Sequence, residues 1–163
     1  MTPTSGAAGA AGLRLSSLPY AGLQLRVVAF LLDIMVLISC GMLFAAAAGA
    51  YLVVDSGFND GNLSDRAPYV AVAIFLAYVL AFVPLYHVVL WMRWGQTVGK
   101  MAVRIKVLSG EGGSLTLGQS ALRLLGYAAS LLPLGLGVLL ALFDDQHRAL
   151  HDRLAGTVVV ELP

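Results

Sequence analysis

The chain has 163 residues, of which 59% are hydrophobic and 12% are charged, and its mean hydropathy is +0.85. An ordinary soluble domain holds about 25% charged residues and could not bury this much apolar surface, so the composition predicts a membrane protein. A formal net charge of +1 excludes the broad basic field that is typical of nucleic-acid binding.

The N-terminal segment, residues 1–19, is rich in Ala, Gly, Ser and Thr. It lacks the basic start and the leucine-rich stretch of a secretory signal, and it has little bulky apolar surface with which to fold. We therefore predict a disordered tail over 1–19 and one membrane domain over 20–163.

Two apolar segments are long enough to cross a bilayer, which takes about 20 residues of helix. The first covers about 23–54 and the second about 68–91, with a kink expected at Pro84. The connection between them holds three aspartates, whereas the loop after the second segment is basic. The positive-inside rule then places this loop and the N-terminus in the cytoplasm. We expect a multi-pass protein of the plasma membrane.

Small residues recur four apart on the first segment, at Gly41, Ala45 and Gly49. Such a stripe permits close helix contact. Its partner is either the second segment or another copy of the chain, so a homo-oligomer is one expected assembly. Cys40 beside it has no second cysteine and is interpreted as a small hydrophobic residue.

The stretch WGQTVGKM at 94–101 looks at first like a phosphate-binding loop. Its two glycines are separated by three residues where the motif has four, and Met101 follows the lysine where a Ser or Thr is needed. A tight basic turn at the membrane surface, leading into a strand, is the favoured interpretation.

The third apolar segment, 117–143, contains Arg123 near its start and one proline and two glycines within 131–137. These residues interrupt a continuous helix. The segment therefore either crosses the membrane with a kink or enters and leaves it on the same side.

The flanks of this segment predict two short strands, at about 101–108 and 156–162, because the first alternates apolar and polar residues and the second is rich in β-branched residues. Pairing with each other would satisfy their backbone groups, and it requires both strands on one side of the membrane. This favours the re-entrant alternative. The predicted fold class is an all-α membrane protein with two full transmembrane helices, a broken third segment and a small cytoplasmic β pairing.

Histidines offer a weak metal-binding pattern. His147 and His151 are four apart and would share one face of a helix, but no further ligand is apparent. His87 is interpreted as an interfacial side chain. Because no catalytic motif is present, we expect neither an enzyme nor a cofactor.

Four ionisable residues within or beside the apolar segments remain as candidate site residues: Arg26, Asp33, Arg123 and Asp152. Asp33 lies about two helical turns beyond Arg26, about 10 Å deeper, so the two cannot touch. We expect Arg123 to pair with Asp33, and Arg26 to reach a surface acid such as Asp152. An ionisable residue inside a membrane is a functional-site hypothesis, and a structural ion pair is the alternative.

With Arg26, Asp33 and Asp152 in these places, the sequence resembles the RDD family of small bacterial membrane proteins, named for one arginine and two aspartates. The likeness covers about 20–160, and GQTVGKMAVRIKV resembles the family's middle segment, except that Val98 stands where proline is expected. The resemblance implies a membrane location and polar roles for these three residues. It does not imply an established activity, although monovalent cation/proton exchange is proposed for some members of the family.

Two functional hypotheses follow. In the first, Asp33 binds a proton or a monovalent cation in a transport-related protein, and Arg26, Arg123 and Asp152 tune its charge. In the second, the chain is a non-transporting assembly or lipid-interaction module whose buried charges are structural. Membrane lipid and a second copy or another membrane protein are the expected partners. A water-filled cavity at Asp33 would favour transport, and a dry, fully paired Asp33 would favour the structural role.

Overall fold

The computed structural model of the protein describes residues 18–131 and 136–163. Two short helical turns that are not α-helical lie within these ranges: a π-helical turn at Tyr78–Phe82 and a 3-10 turn at Leu140–Leu142. The helices and strands of the described residues are α1 (Leu23–Phe58), α2 (Ala67–Ala77), α3 (Val83–Trp94), α4 (Val98–Ala102), β1 (Ile105–Ser109), α5 (Leu117–Leu131), α6 (Leu136–Leu139), α7 (Leu150–Ala155) and β2 (Thr157–Glu161).

Helix α1 and the continuous 67–94 helix, formed by α2, the π-helical turn and α3, are long and apolar enough to cross a membrane. They cover both predicted spans and extend beyond them. Most of their large apolar side chains are exposed; Leu43, for example, is 71% exposed. At about 1.5 Å per residue the 36 residues of α1 measure about 54 Å, longer than the about 30 Å hydrocarbon core.

Pro84 disturbs the second long helix in a specific way. The proline has no N–H to donate to the carbonyl one turn earlier, and the π-helical turn Tyr78–Phe82 comes directly before α3, in whose first turn Pro84 lies. Tyr78 donates a hydrogen bond from its hydroxyl to the Leu37 carbonyl. Its ring also lies 3.2 Å from the point where a Cβ on Gly41 would stand. Gly41 therefore contacts the second long helix.

The two strands pair antiparallel, with Val107 opposite Val159. This confirms the predicted β pairing. The chain joins the sheet before α1 begins, because Tyr20 forms a bridge with Val160 and the Pro19 carbonyl accepts the Glu161 N–H. Both ends of the third apolar segment therefore lie beside one small sheet.

Strand β1 starts later than predicted. Residues 98–102 form a short helix, and Arg104 turns the chain with a φ of 55° before the strand begins at Ile105. The prediction of a strand from 101 was wrong because side chains distant in sequence hold this stretch as a helix, as described below. The prediction of a basic surface turn also fails at Lys100, which is 7% exposed.

Helix α5 buries a polar face and exposes an apolar face. Its buried positions carry polar or small residues, among them Ser120, Arg123 and Ser130, while Leu122 and Leu125 are exposed. The polar face packs against α7 and α3. The Pro/Gly interruption falls after this helix, and residues 132–135 of it lie outside the described residues.

A small apolar core lies where the end of α3, the sheet and α5 meet. Its buried members are Ala21, Ala29, Trp91, Ile105, Val107, Leu115 and Val159. Trp91 is fully buried at its centre and contacts the residues of the candidate site.

Candidate functional site

Asp33 lies on α1 and is 4% exposed. Its Oδ1 accepts hydrogen bonds from the Tyr86 hydroxyl at 2.9 Å and from the Gly99 N–H at 2.7 Å, and its Oδ2 accepts one from the Thr97 hydroxyl at 2.5 Å. These neutral donors come from α3 and from the start of α4. Both carboxylate oxygens are therefore paired with donors from outside α1.

This arrangement stabilises the first turn of α4. Thr97 precedes the helix in an extended conformation, and the N–H groups of the first helical residues have no partner within the helix. Gly99 donates to Asp33, and Val98 donates to the Tyr86 hydroxyl at 3.1 Å. A carboxylate at this end is also favoured by the helix dipole. Asp33 thus caps a helix that follows it by more than sixty residues.

Gly99 allows α1 and α4 to touch. A Cβ on Gly99 would lie 2.0 Å from the Ala29 carbonyl oxygen and 2.9 Å from Cγ of Asp33. No side chain fits at this distance, so the backbone of α4 rests directly on α1.

Arg123 does not pair with Asp33, contrary to our prediction. Its Nη1 donates to Oδ1 of Asp152 at 2.6 Å and to the Thr157 hydroxyl. Among the residues that the structure describes, no cationic group forms an ion pair with Asp33. The reason is that α5 packs on α7, which brings Arg123 to the other aspartate.

Asp152 is the centre of a second group of residues, which we call the buried charge cluster: Arg26, Lys100, Arg123, His151 and Asp152. Oδ2 of Asp152 accepts from Nη1 of Arg26 at 2.5 Å and from the Ala149 N–H at 3.1 Å. Arg26 also donates from Nε to the Ala21 carbonyl. The expected contact between Arg26 and Asp152 is present, and one carboxylate joins α1, α5 and α7.

Aromatic rings line the other side of the cluster. Tyr127 stacks between Trp91 and His151, with ring centroids 5.7 and 4.0 Å away. Lys100 Nζ lies 5.5 Å and Arg123 Cζ 5.2 Å from the centre of the Trp91 ring. Both cations are therefore within range of a cation–π interaction with the same indole.

The pKa values of two residues of the cluster are lowered. The pKa of His151 is lowered to about 3, chiefly by burial; the charges of Arg123, Lys100 and Arg26 also lower it, and Asp152 acts to raise it. Burial acts to raise the pKa of Asp152, but Arg123, His151 and Arg26 overcome that effect and hold it well below its usual range. At neutral pH His151 is neutral and Asp152 is charged.

We expect the folded state to lose stability in mild acid because of His151. Below pH 6.5 the unfolded state binds a proton on this ring, while the folded state stays neutral down to about pH 3, so each pH unit costs about 1.4 kcal/mol at most. His151→Phe keeps a ring against Tyr127 but cannot titrate, and the fall in thermal midpoint between pH 7 and 5 should shrink. His147→Phe, at an exposed position, is the control that should keep the wild-type slope. An unchanged slope in His151→Phe would contradict this assignment.

The predicted metal pair is not assembled. His147 lies in a turn before α7 with a φ of 51° and is exposed, whereas His151 is buried within α7. The two do not share a helix face, which corrects the interpretation from their spacing. Among the described residues no three His, Cys, Asp or Glu side chains are grouped as metal ligands.

Sequence reasoning missed the donors around Asp33 and the partners around Asp152. Tyr86 and Thr97 are ordinary polar residues in sequence, and nothing in the sequence shows that Trp91 is fully buried beside the cluster. The one available signal was GQTVGK, because Thr97 and Gly99 have the pattern of a helix start.

The chain is similar to a known protein family and to one curated protein. A protein-family model described as RDD family matches residues 20–156, a range that holds Arg26, Asp33 and Asp152. The chain is also 32% identical over 77 residues to a protein of Rickettsia prowazekii (strain Madrid E) described as uncharacterized protein RP437, and this match covers 47% of the chain and 42% of that relative's length. The chain therefore matches less than half of that relative. No solved structure matches the chain.

Proposed function

The chain belongs to the RDD family, and from that premise we propose that it is a non-transporting membrane module for assembly or lipid interaction, in which buried charges fix the structure. Family membership and two helices of spanning length support a membrane location. The role that we assign to the charges is to hold the sheet and the short helices against the long helices.

The observation that carries this proposal is the environment of Asp33. The carboxylate is 4% exposed and its oxygens accept three hydrogen bonds, from Tyr86, Thr97 and Gly99. Hydrogen bonds to both oxygens offset the cost of burying a charge. A carboxylate in this position stabilises α4 against α1 without needing to exchange an ion.

Asp152 has a corresponding role among the residues of α1, α5 and α7. Its two ion pairs join Arg26 near the start of α1 to Arg123 on α5. Asp33 and Asp152 therefore hold different elements against the long helices: Asp33 holds α4, and Asp152 holds α5 and α7. This gives the three residues for which the family is named a common structural purpose.

Lipid is the partner that we assign to the region formed by the sheet and the short helices. Arg93 and Arg104 are exposed near the end of the second long helix, and Trp94 beside them is 53% exposed, as expected for residues at the headgroup level of a membrane. The apolar outer face of α5 suits contact with acyl chains. We place the sheet and the N-terminus in the cytoplasm at the plasma membrane, with 117–143 entering the bilayer and returning to the same side.

Transport is the second candidate, and one observation favours it. Asp33 is buried and has only neutral partners among the described residues, and its carboxyl group and the neighbouring hydroxyls supply oxygen atoms of the kind that bind monovalent cations. In this alternative Asp33 exchanges a proton for a cation, with Arg26, Arg123 and Asp152 tuning its charge. Two long helices are few for alternating access, so an oligomer would have to complete the pathway.

A flux assay separates the two candidates. We expect no cation-driven proton movement in liposomes that contain the purified wild-type protein, and none with Asp33→Asn. The control Asp145→Asn changes an exposed acid and should also be silent. Flux in the wild type and in Asp145→Asn that is lost in a folded Asp33→Asn protein would overturn the structural proposal and establish the transport candidate.

A further inference from the structure

The buried charge cluster contains more hydrogen-bond donors than the protein satisfies. Within residues 18–131 and 136–163 several fully buried nitrogen and oxygen atoms have no hydrogen-bond partner. They are Nη2 of Arg26, Nε1 of Trp91, Oγ of Ser120, Nε and Nη2 of Arg123, and Nδ1 of His151. Buried polar atoms are paired in the great majority of folded proteins, so several orphans in one place indicate a missing partner.

Most of these atoms belong to side chains that contact Asp152 or the Trp91 ring. The guanidinium groups of Arg26 and Arg123 bind opposite oxygens of Asp152, so their second nitrogens lie near the same carboxylate. The Trp91 ring is within 5.5 Å of both Arg123 Cζ and Lys100 Nζ. Arg123 thus connects the unpartnered N–H groups of α1, α3 and α5, through Asp152 on one side and the Trp91 ring on the other.

The charges of this region do not balance. Three buried or nearly buried cations, Arg26, Lys100 and Arg123, face two buried aspartates, Asp33 and Asp152. Lys100 is 7% exposed and forms no ion pair among the residues that the structure describes. Because cations outnumber acids in this poorly solvated region, a negative partner would stabilise it.

Water is a poor match for these orphans. The unpartnered atoms of Arg26, Arg123 and Trp91 can only donate, and the Lys100 ammonium is likewise a donor. A water molecule that accepts from them must also place its own two hydrogens on acceptors, and these are fewer than the donors here: Ser120 Oγ, His151 Nδ1 and the remaining lone pairs of Asp152. An anion accepts from every donor and supplies the missing charge as well.

We propose that the buried charge cluster binds a small monovalent anion of about the size of chloride. It is held by the free N–H groups of Arg26 and Arg123, by Nε1 of Trp91 and by the Lys100 ammonium. Lys100 is the residue specific to this site, because within the described ranges it forms no ion pair, whereas the arginines also hold Asp152. The anion neutralises the third cation and fixes α3, α4 and α5 around it.

Bromide quenching of tryptophan fluorescence tests the site, because Trp91 would touch the ion. The chain has two tryptophans, and Trp94→Phe leaves Trp91 as the single reporter. This variant of the full chain, purified in detergent, is titrated with sodium bromide at constant ionic strength made up with sodium gluconate. We expect saturable quenching that chloride reverses. Linear quenching without saturation, or reversal by inorganic phosphate and not by chloride, would overturn the proposal.

Matched lysine variants locate the binding. In the Trp94→Phe background, Lys100→Met should raise the bromide dissociation constant at least tenfold, while Lys100→Arg should retain saturable quenching. Lys106→Met removes the other lysine of the chain from β1 and should bind as the parent does. If Lys100→Met fails to fold, loss of saturation in Lys100→Gln under folded conditions decides the question. Equal bromide affinity in the Lys100 and Lys106 variants would contradict the assignment.

Discussion

Asp33→Ala is expected to lower the free energy of unfolding by about 3–5 kcal/mol. The alanine leaves the Tyr86 hydroxyl, the Thr97 hydroxyl and the Gly99 N–H without their acceptor in a buried place, and each unsatisfied donor costs about 1–3 kcal/mol. Asp33→Asn should cost only about 1–2 kcal/mol. Its amide oxygen can accept from Tyr86 and Gly99, and its NH₂ group can donate to Thr97, so the pairing survives without the charge.

Denaturation of the purified protein in a fixed detergent measures this order, with Asp145→Ala as the exposed control. Wild type and Asp145→Ala should unfold together, Asp33→Asn slightly earlier and Asp33→Ala much earlier. If Asp33→Ala proved as stable as the wild type, the aspartate would not hold α4, and the structural role proposed for it would fail.

Asp152→Ala is the second large effect, with an expected loss of about 3–5 kcal/mol. It removes the shared acceptor of Arg26 and Arg123 and leaves two guanidinium groups buried without compensation. The same change also removes the acceptor for the Ala149 N–H at the start of α7. We expect little folded protein from this variant at 37 °C.

A double substitution separates the ion pair from general damage. The double variant with Arg123→Met and Asp152→Ala removes one of the two uncompensated guanidinium groups along with the carboxylate. It should therefore be more stable than Asp152→Ala alone. Thermal midpoints of the two single variants and the double variant give the coupling energy. Strictly additive losses would show that Arg123 and Asp152 do not interact in the folded protein.

The sequence predicts the large elements because length and apolar composition determine them. The residues or the family resemblance predict both long helices, the pairing of the two strands and the contact between Arg26 and Asp152. These features depend on local composition or on strong pairing of opposite charges. They need little knowledge of how the helices pack.

The partners of Asp33 could not be predicted in the same way. We assigned Arg123 because opposite charges attract, but a carboxylate is equally satisfied by hydroxyl and backbone N–H groups. The angle at which α5 meets α7 decides which aspartate Arg123 reaches. The pattern of apolar residues in the sequence does not determine that angle. Residues 98–102 were missed as a helix for a related reason, since the group that caps them is on α1.

The amide hydrogen exchange of Gly99 tests the central claim most directly, because that N–H is bonded to the Asp33 carboxylate. In the wild type and in the Asp145→Ala control we expect slow exchange. In Asp33→Ala, measured where the protein remains folded, exchange should be about a hundredfold faster, which corresponds to local opening about 2.7 kcal/mol easier. A Gly99 amide that exchanges at the same rate in the wild type and in Asp33→Ala would show that Asp33 does not fix α4, and it would contradict the structural account.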